Sequence, residues 1–171
     1  MRLVPVILLL LFSAAMNTPA AMAIDTGPIA GKYAPLFELQ DLSGNTFRLS
    51  DYRGKVVLLN FWSTLCAPCT AELPSLGKLA AVFKDTGFTV LTVSIDASDK
   101  TVKAFLETNN IFLTVLRDRD KEVFFDQYAG PILPASYLID GSGIITEIIT
   151  GPRAWDSPGS QKSIQVLLKN R

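Results

Sequence analysis

Residues 56–73 read VVLLNFWSTLCAPCTAEL, an apolar run that leads within three residues into Cys66-Ala67-Pro68-Cys69. No other stretch constrains the fold as tightly. Positions 56–62 are apolar except for Asn60, the pattern of a strand buried on both faces. Ser63-Thr64-Leu65 reads as a short turn. From 67 to 84 the pattern becomes helical: Leu73, Leu76, Ala80 and Phe83 recur three and four residues apart, with Lys78 and Lys84 off that stripe. The sequence therefore predicts a buried strand, a tight turn, and a helix that begins at the chain's two cysteines.

A dithiol two residues apart at a strand-to-helix junction is a redox arrangement. Near the N-cap, the sulfur of Cys66 would sit among unpaired backbone N–H groups, which favour thiolate over thiol and pull its pKa below the free value of about 8.5. Cys69 follows one turn later, within reach of a mixed disulfide formed at Cys66. Pro68 falls in the first turn, where its missing N–H costs little. Cys66 is thus the expected nucleophile and Cys69 the resolving thiol.

Composition narrows the setting. Met1-Arg2, an apolar run over 3–15 and Ala21-Met22-Ala23 predict a signal peptide over 1–23 and one mature domain over 24–171. The apolar run is shorter than the roughly 20 residues of a spanning helix; an uncleaved, tilted anchor is the alternative. No cysteine in that segment invites a lipid. Export with a single Cys-x-x-Cys points to a catalytic disulfide and not a scaffold. The 16 basic and 16 acidic residues balance, so nothing suggests nucleic acid as a partner. The chain has no histidine, and its three methionines all lie in the predicted signal. No metal or cofactor is expected from that donor set.

Short strands are predicted at 35–39 and 46–49 around a polar turn, as a hairpin placed before the main fold. Further strands are expected at 89–95, 112–116, 135–139 and 144–150, the last two joined by Asp140-Gly141-Ser142-Gly143. A helix capped by Ser98 or Asp99 would run to about 108 with Ala104, Phe105 and Leu106 on its apolar side. Arg117 to Asp120 reads as a charged turn. A short helix would carry Val123 with core residues Phe124 and Phe125, and a closing helix is marked by Ile164, Val166, Leu167 and Leu168. Trp155 lies in a late loop as packing or surface. Helices on a mixed sheet accommodate this order.

At Phe61-Trp62-Ser63-Thr64-Leu65-Cys66-Ala67-Pro68-Cys69 the sequence resembles the thioredoxin superfamily, and within it the exported TlpA/ResA-like thiol-disulfide oxidoreductases. Ala34-Pro35-Leu36-Phe37, the run from Leu49 to Lys55, Cys69-Thr70-Ala71-Glu72-Leu73-Pro74, and Pro134 before Tyr137-Leu138-Ile139-Asp140-Gly141 carry the likeness along nearly the whole mature chain. It implies an α/β, thioredoxin-like fold: a central mixed β-sheet flanked by helices, with an N-terminal β-hairpin extension. Two positions depart from the pattern, Leu65 where many relatives have tryptophan and Ala135 where threonine is frequent.

Glu72, three residues past Cys69, reads either as a carboxylate facing the sulfurs or as one merely stabilised by the helix N-terminus. The resemblance implies the former, buried and moving the proton of Cys69. Asn60 stands where thioredoxins keep an aspartate, leaving Glu72 as the local base. The resemblance also implies a cis Pro134, with Leu133 and Ala135 presenting backbone to an extended substrate. Trp62 either joins them around the dithiol or packs.

A reductase of protein disulfides is the expectation, fed by a membrane thiol-disulfide donor. The resemblance implies apocytochrome c or a copper-centre protein as substrate, and a monomer is expected. A disulfide-donating oxidant, a non-catalytic binding module and a peroxidase remain alternatives. Peroxiredoxins, which the N-terminal pattern also resembles, have threonine and proline where this chain has Ser63 and Leu59.

Overall fold

The computed structural model describes residues 27–170; the predicted signal peptide lies outside them. The chain forms β1 (Glu38–Asp41), β2 (Thr46–Arg48), β3 (Val56–Trp62), α1 (Ala67–Val82), β4 (Phe88–Ser94), α2 (Asp99–Thr108), β5 (Val115–Arg117), β6 (Ala135–Ile139), β7 (Ile145–Thr150) and α3 (Pro158–Lys169). A 3-10 turn at Leu49–Tyr52 and a π-helix at Val123–Gln127 complete it.

One seven-stranded sheet runs in the order β2-β1-β5-β4-β3-β6-β7. β3 pairs parallel with β4 and antiparallel with β6, and β4 pairs parallel with β5. This is the mixed sheet expected. The N-terminal hairpin, however, is no appendage: β1 pairs antiparallel with β5, Gln40 opposite Arg117, and so extends the central sheet.

β3 is buried on both faces, as its composition requires. Period-two alternation divides its side chains. Val57, Leu59 and Phe61 join Leu91, Val93, Phe124, Tyr128 and Tyr137 on one side. Val56, Leu58 and Trp62 join Leu73, Leu76 and Leu79 of α1, Val102 of α2, Trp155 and Ile164 of α3 on the other. Asn60 shares the second parity, which turns it towards α1.

Several boundaries move. The first strand begins at Glu38, not residue 35, and the fifth at Val115, because Phe112 is 88% exposed and leaves the sheet. α1 stops at Val82 with Phe83 as its C-cap; Leu79 is buried in its stripe, and Ala80 only partly. In α2 the buried residue is Val102, while Ala104 is exposed. Phe125 is 52% exposed and not core: the π-helix turns Val123 and Phe124 inward and leaves its ring edge-on to Phe124. The charged turn hides a wholly buried Asp118, whose carboxylate accepts the Val123 and Phe124 N–H groups at 3.2 and 2.8 Å.

Candidate active site

The C-terminal end of β3 delivers the chain to the dithiol through a turn closed by the Cys66 N–H on the Ser63 carbonyl at 3.1 Å. Cys66 is the N-cap of α1 with extended backbone (φ −98°, ψ 99°), and its Sγ accepts the N–H of Cys69 at 3.3 Å. One of the four unpaired donors of the helix start therefore points at the sulfur. The cysteines are joined as a disulfide, Cys66–Cys69. Cys66 is half-buried while Cys69 is fully buried, so a partner can reach the first sulfur and not the second.

Glu72 lies on the same helix, three residues beyond Cys69, and is only 5% exposed. Its Oε1 accepts from Asn60 Nδ2 at 2.7 Å and its Oε2 from the Arg153 backbone N–H at 3.0 Å. Burial pushes its carboxyl above the usual glutamate range, and the donors from Arg153 and Asn60 only partly offset that. The Trp155 indole N–H also favours the carboxylate without closing a hydrogen bond of good geometry. A cavity of about 370 Å³ lined by Pro68, Ala71, Ser75 and Pro152 opens beside Glu72. Ser75 ties this wall together: its hydroxyl donates to the Glu72 backbone carbonyl and accepts the Trp155 backbone N–H.

Asn60 gives its second amide hydrogen to Ser136 Oγ at 2.9 Å, leaving its own Oδ1 without a partner. Ser136 faces Asn60 across the β3–β6 pair. Arg153 is held by Glu147 at 2.7 Å and lies over the Trp155 ring. Ser136 and Arg153 carry no sequence signal of their own. They meet Asn60 and Glu72 across 76 and 81 residues of chain.

Antiparallel pairing sets the start of β6 beside the end of β3, Ala135 opposite Phe61. The Leu133–Pro134 bond is cis. Leu133 precedes the ladder, half-buried, and like Cys66 packs against the cluster that holds Cys69. Two expected contacts need correction. Ala135 is wholly buried and lies in register between Phe61 and Thr150, so its backbone belongs to the sheet and is not open to a substrate. Trp62 is also wholly buried, packed on Phe105 beneath the dithiol, and offers a substrate no surface. Two exposed side chains adjoin these segments in sequence and are apolar: Leu65, before Cys66, is 93% exposed, and Ile132, before Leu133, 56%. Among the described residues no cluster of three or more acidic or thiol side chains could hold a metal.

The arrangement is a reachable Cys-x-x-Cys disulfide with a buried carboxylate on the same helix. Relatives of the chain are thiol-disulfide oxidoreductases. Residues 30–148 match the model of the AhpC/TSA family. The chain is 40% identical over 126 residues to thiol-disulfide oxidoreductase ResA of Geobacillus kaustophilus, covering 74% of this chain and 72% of that one. Identity to ResA of Geobacillus thermodenitrificans is 39% over 148 residues, or 85% and 84% of the two chains. The thioredoxin domain of a thiol-disulfide oxidoreductase from Bacteroides vulgatus superposes with a TM-score of 0.72 at 27% identity, over 82% of this chain and 98% of that one.

Proposed function

Because the chain belongs to the AhpC/TSA family of the thioredoxin superfamily and is a ResA-like thiol-disulfide oxidoreductase, we propose that it is an exported reductase of protein disulfides. Cys66 attacks, Cys69 resolves and Glu72 manages the proton. The observation that carries this reading is the asymmetry of the pair: a reachable Cys66 sulfur at a helix N-terminus, above a Cys69 sulfur that no partner can touch.

The reaction balances as a two-electron exchange. The Cys66 thiolate attacks one sulfur of the substrate disulfide; that bond breaks, the second substrate sulfur leaves as thiolate, and a mixed disulfide forms at Cys66. Cys69 then loses its proton to Glu72. Its thiolate displaces the first substrate sulfur from Cys66 and closes the Cys66–Cys69 disulfide; the two substrate thiolates take up the proton held on Glu72 and one from water, so the substrate departs as a dithiol. Burial of Glu72 suits it to the task, since a carboxylate with a raised pKa is a stronger base for a thiol. Leu133, outside the ladder, is the place where an extended substrate strand docks.

The signal-like residues 1–23 support an exported setting. There a reductase needs electrons from a membrane thiol-disulfide donor. The resemblance read from the sequence supports the paired cysteines of an apocytochrome c or a copper-centre protein as substrate. A non-catalytic module would hide its first cysteine, and Cys66 is accessible. The peroxidase reading finds Leu59 buried in mid-strand where that chemistry places proline.

Trapping tests the assignment. Cys69→Ser, reduced and offered a peptide disulfide, should accumulate a mixed disulfide at Cys66 that mass spectrometry detects. Cys66→Ser should form none and reduce the peptide only at the background rate. Accumulation at Cys69 in the Cys66→Ser protein would reverse the roles.

A further inference from the structure

The turn that carries the chain from β3 into α1 is held by a residue of a different loop. Four donors converge on the carboxylate of Asp96, just past β4. The Ser63 and Thr64 hydroxyls reach Oδ1 at 2.9 and 2.8 Å, and the Thr64 N–H and Ser94 hydroxyl reach Oδ2 at 2.9 and 2.8 Å. Ser63 Oγ accepts the Leu65 N–H at 3.2 Å, and the Asp96 N–H returns to Ser94 Oγ at 3.1 Å. A carboxylate accepts only, so this donor set suits an ionised side chain. It also satisfies turn N–H groups that the sheet and helix leave behind.

The charge matters as well as the anchor. Thr64 lies two residues before Cys66 and the Cys66 N–H closes on the Ser63 carbonyl, so the Asp96 carboxylate and a thiolate at Cys66 sit on one short turn, within roughly 12 Å, a separation on the order of the Debye length. None of the ion pairs among the described residues includes Asp96. The other charged groups of the neighbouring segments have partners of their own, among them Asp118, whose backbone N–H donates to the Ser94 carbonyl and whose carboxylate accepts the Val123 and Phe124 N–H groups. Glu72 on α1 is bonded to Asn60 and the Arg153 N–H, the Arg153 guanidinium to Glu147, and Asp99 at the start of α2 to Arg117 and Arg119. The helix N-terminus favours the Cys66 thiolate and Asp96 opposes it. A thiolate that is less stabilised makes the dithiol the stronger reductant.

We propose that Asp96 is a positioning residue of the dithiol: it pins the turn that delivers Cys66 to the N-terminus of α1, and it sets a negative charge against the thiolate formed there, biasing the pair towards its disulfide. The proposal rests on Cys66 being the attacking thiol, and its test keeps the two questions apart.

Asp96→Asn keeps the side-chain shape, and the Ser63 and Thr64 hydroxyls can accept from the new amide as they donated to the acid; only the charge is lost. Asp96→Ser removes the same charge with a different side chain. The reduced full-length chain is alkylated with iodoacetamide across a pH series, and peptide mapping assigns the label. In the unsubstituted protein the label enters Cys66 first. In both variants the Cys66 inflection moves down by about half a pH unit, a roughly threefold larger thiolate fraction below it. A purely structural contact would lower Tm and leave the inflection in place. An inflection that stays put or rises in a folded variant overturns the proposal. First labelling at Cys69 in the unsubstituted protein would instead overturn the assignment of the attacking thiol on which it rests.

Discussion

Glu72 combines two opposed influences, burial that favours its neutral form and the N–H groups of Arg153, Asn60 and Trp155 that favour its charged one, with burial the stronger. The native state therefore holds the Glu72 proton more tightly than the unfolded chain does. Its contribution to stability is present while the group is protonated and is lost as pH rises from the unfolded value through the raised native one. Glu72→Gln removes that slope. The fit is favourable, because the Asn60 amide can turn so that its unpartnered Oδ1 accepts from the new side chain. Urea unfolding across pH should show the variant at least as stable as the parent at neutral pH, without the parent's decline. Its catalytic cost should fall on the resolving step, with release from the Cys66 mixed disulfide slowed on the order of 10²-fold. An unchanged release rate would leave Glu72 a structural residue. Cys66 and Cys69 were legible because helix spacing brings them together, whereas spacing left Glu72 two readings and the resemblance chose between them. Ser136, Arg153 and Asp96 were not: each meets the site from another element, and a serine at a strand position or an aspartate after a strand looks the same with or without such a partner.

Elements were legible where pattern and burial agree, as in β3, where seven residues with one polar exception form a strand buried on both faces. They were misread where a local signal lost to tertiary context. Phe112 and Phe125 carry the apolar signal of core residues, yet one precedes a strand of only three residues and the other falls on the outer side of a π-helix. Asp118 shows the reverse, a charge within an apparent surface turn that proves to be wholly buried. It stops two N–H groups of the π-helix from going unpaired, and that helix supplies Phe124 to the core beneath β3. Asp118→Ala should therefore destabilise the protein by about 2 kcal/mol, a fall in Tm of about 6 °C for a domain of this size, measured by thermal unfolding. Loss of less than a third of that would mean water replaces the carboxylate easily.

At the scale of the whole molecule, sheet order assembles the site. The ends of the parallel strands β3 and β4 and the start of antiparallel β6 lie at one edge, so the dithiol, Asp96 and Leu133–Pro134 come together from segments far apart in sequence. Ligands of open α/β sheets gather at such carboxyl ends for the same geometric reason. The mixed sheet flanked by helices could be read from element order, whereas the joining of the N-terminal hairpin to β5 could not, since β5 shows only three residues of pairing pattern. Electron flow should run from this pair to its substrate: a half-buried Cys66 whose thiolate is opposed by the charge of Asp96 should make a reducing dithiol. The reduction potential of Cys66–Cys69, measured in the full-length protein against dithiothreitol or glutathione mixtures, tests it most directly. A reducing pair should give a value below about −220 mV, towards the thioredoxin value near −270 mV; a value near −120 mV would mark a disulfide donor and rule a reductase out.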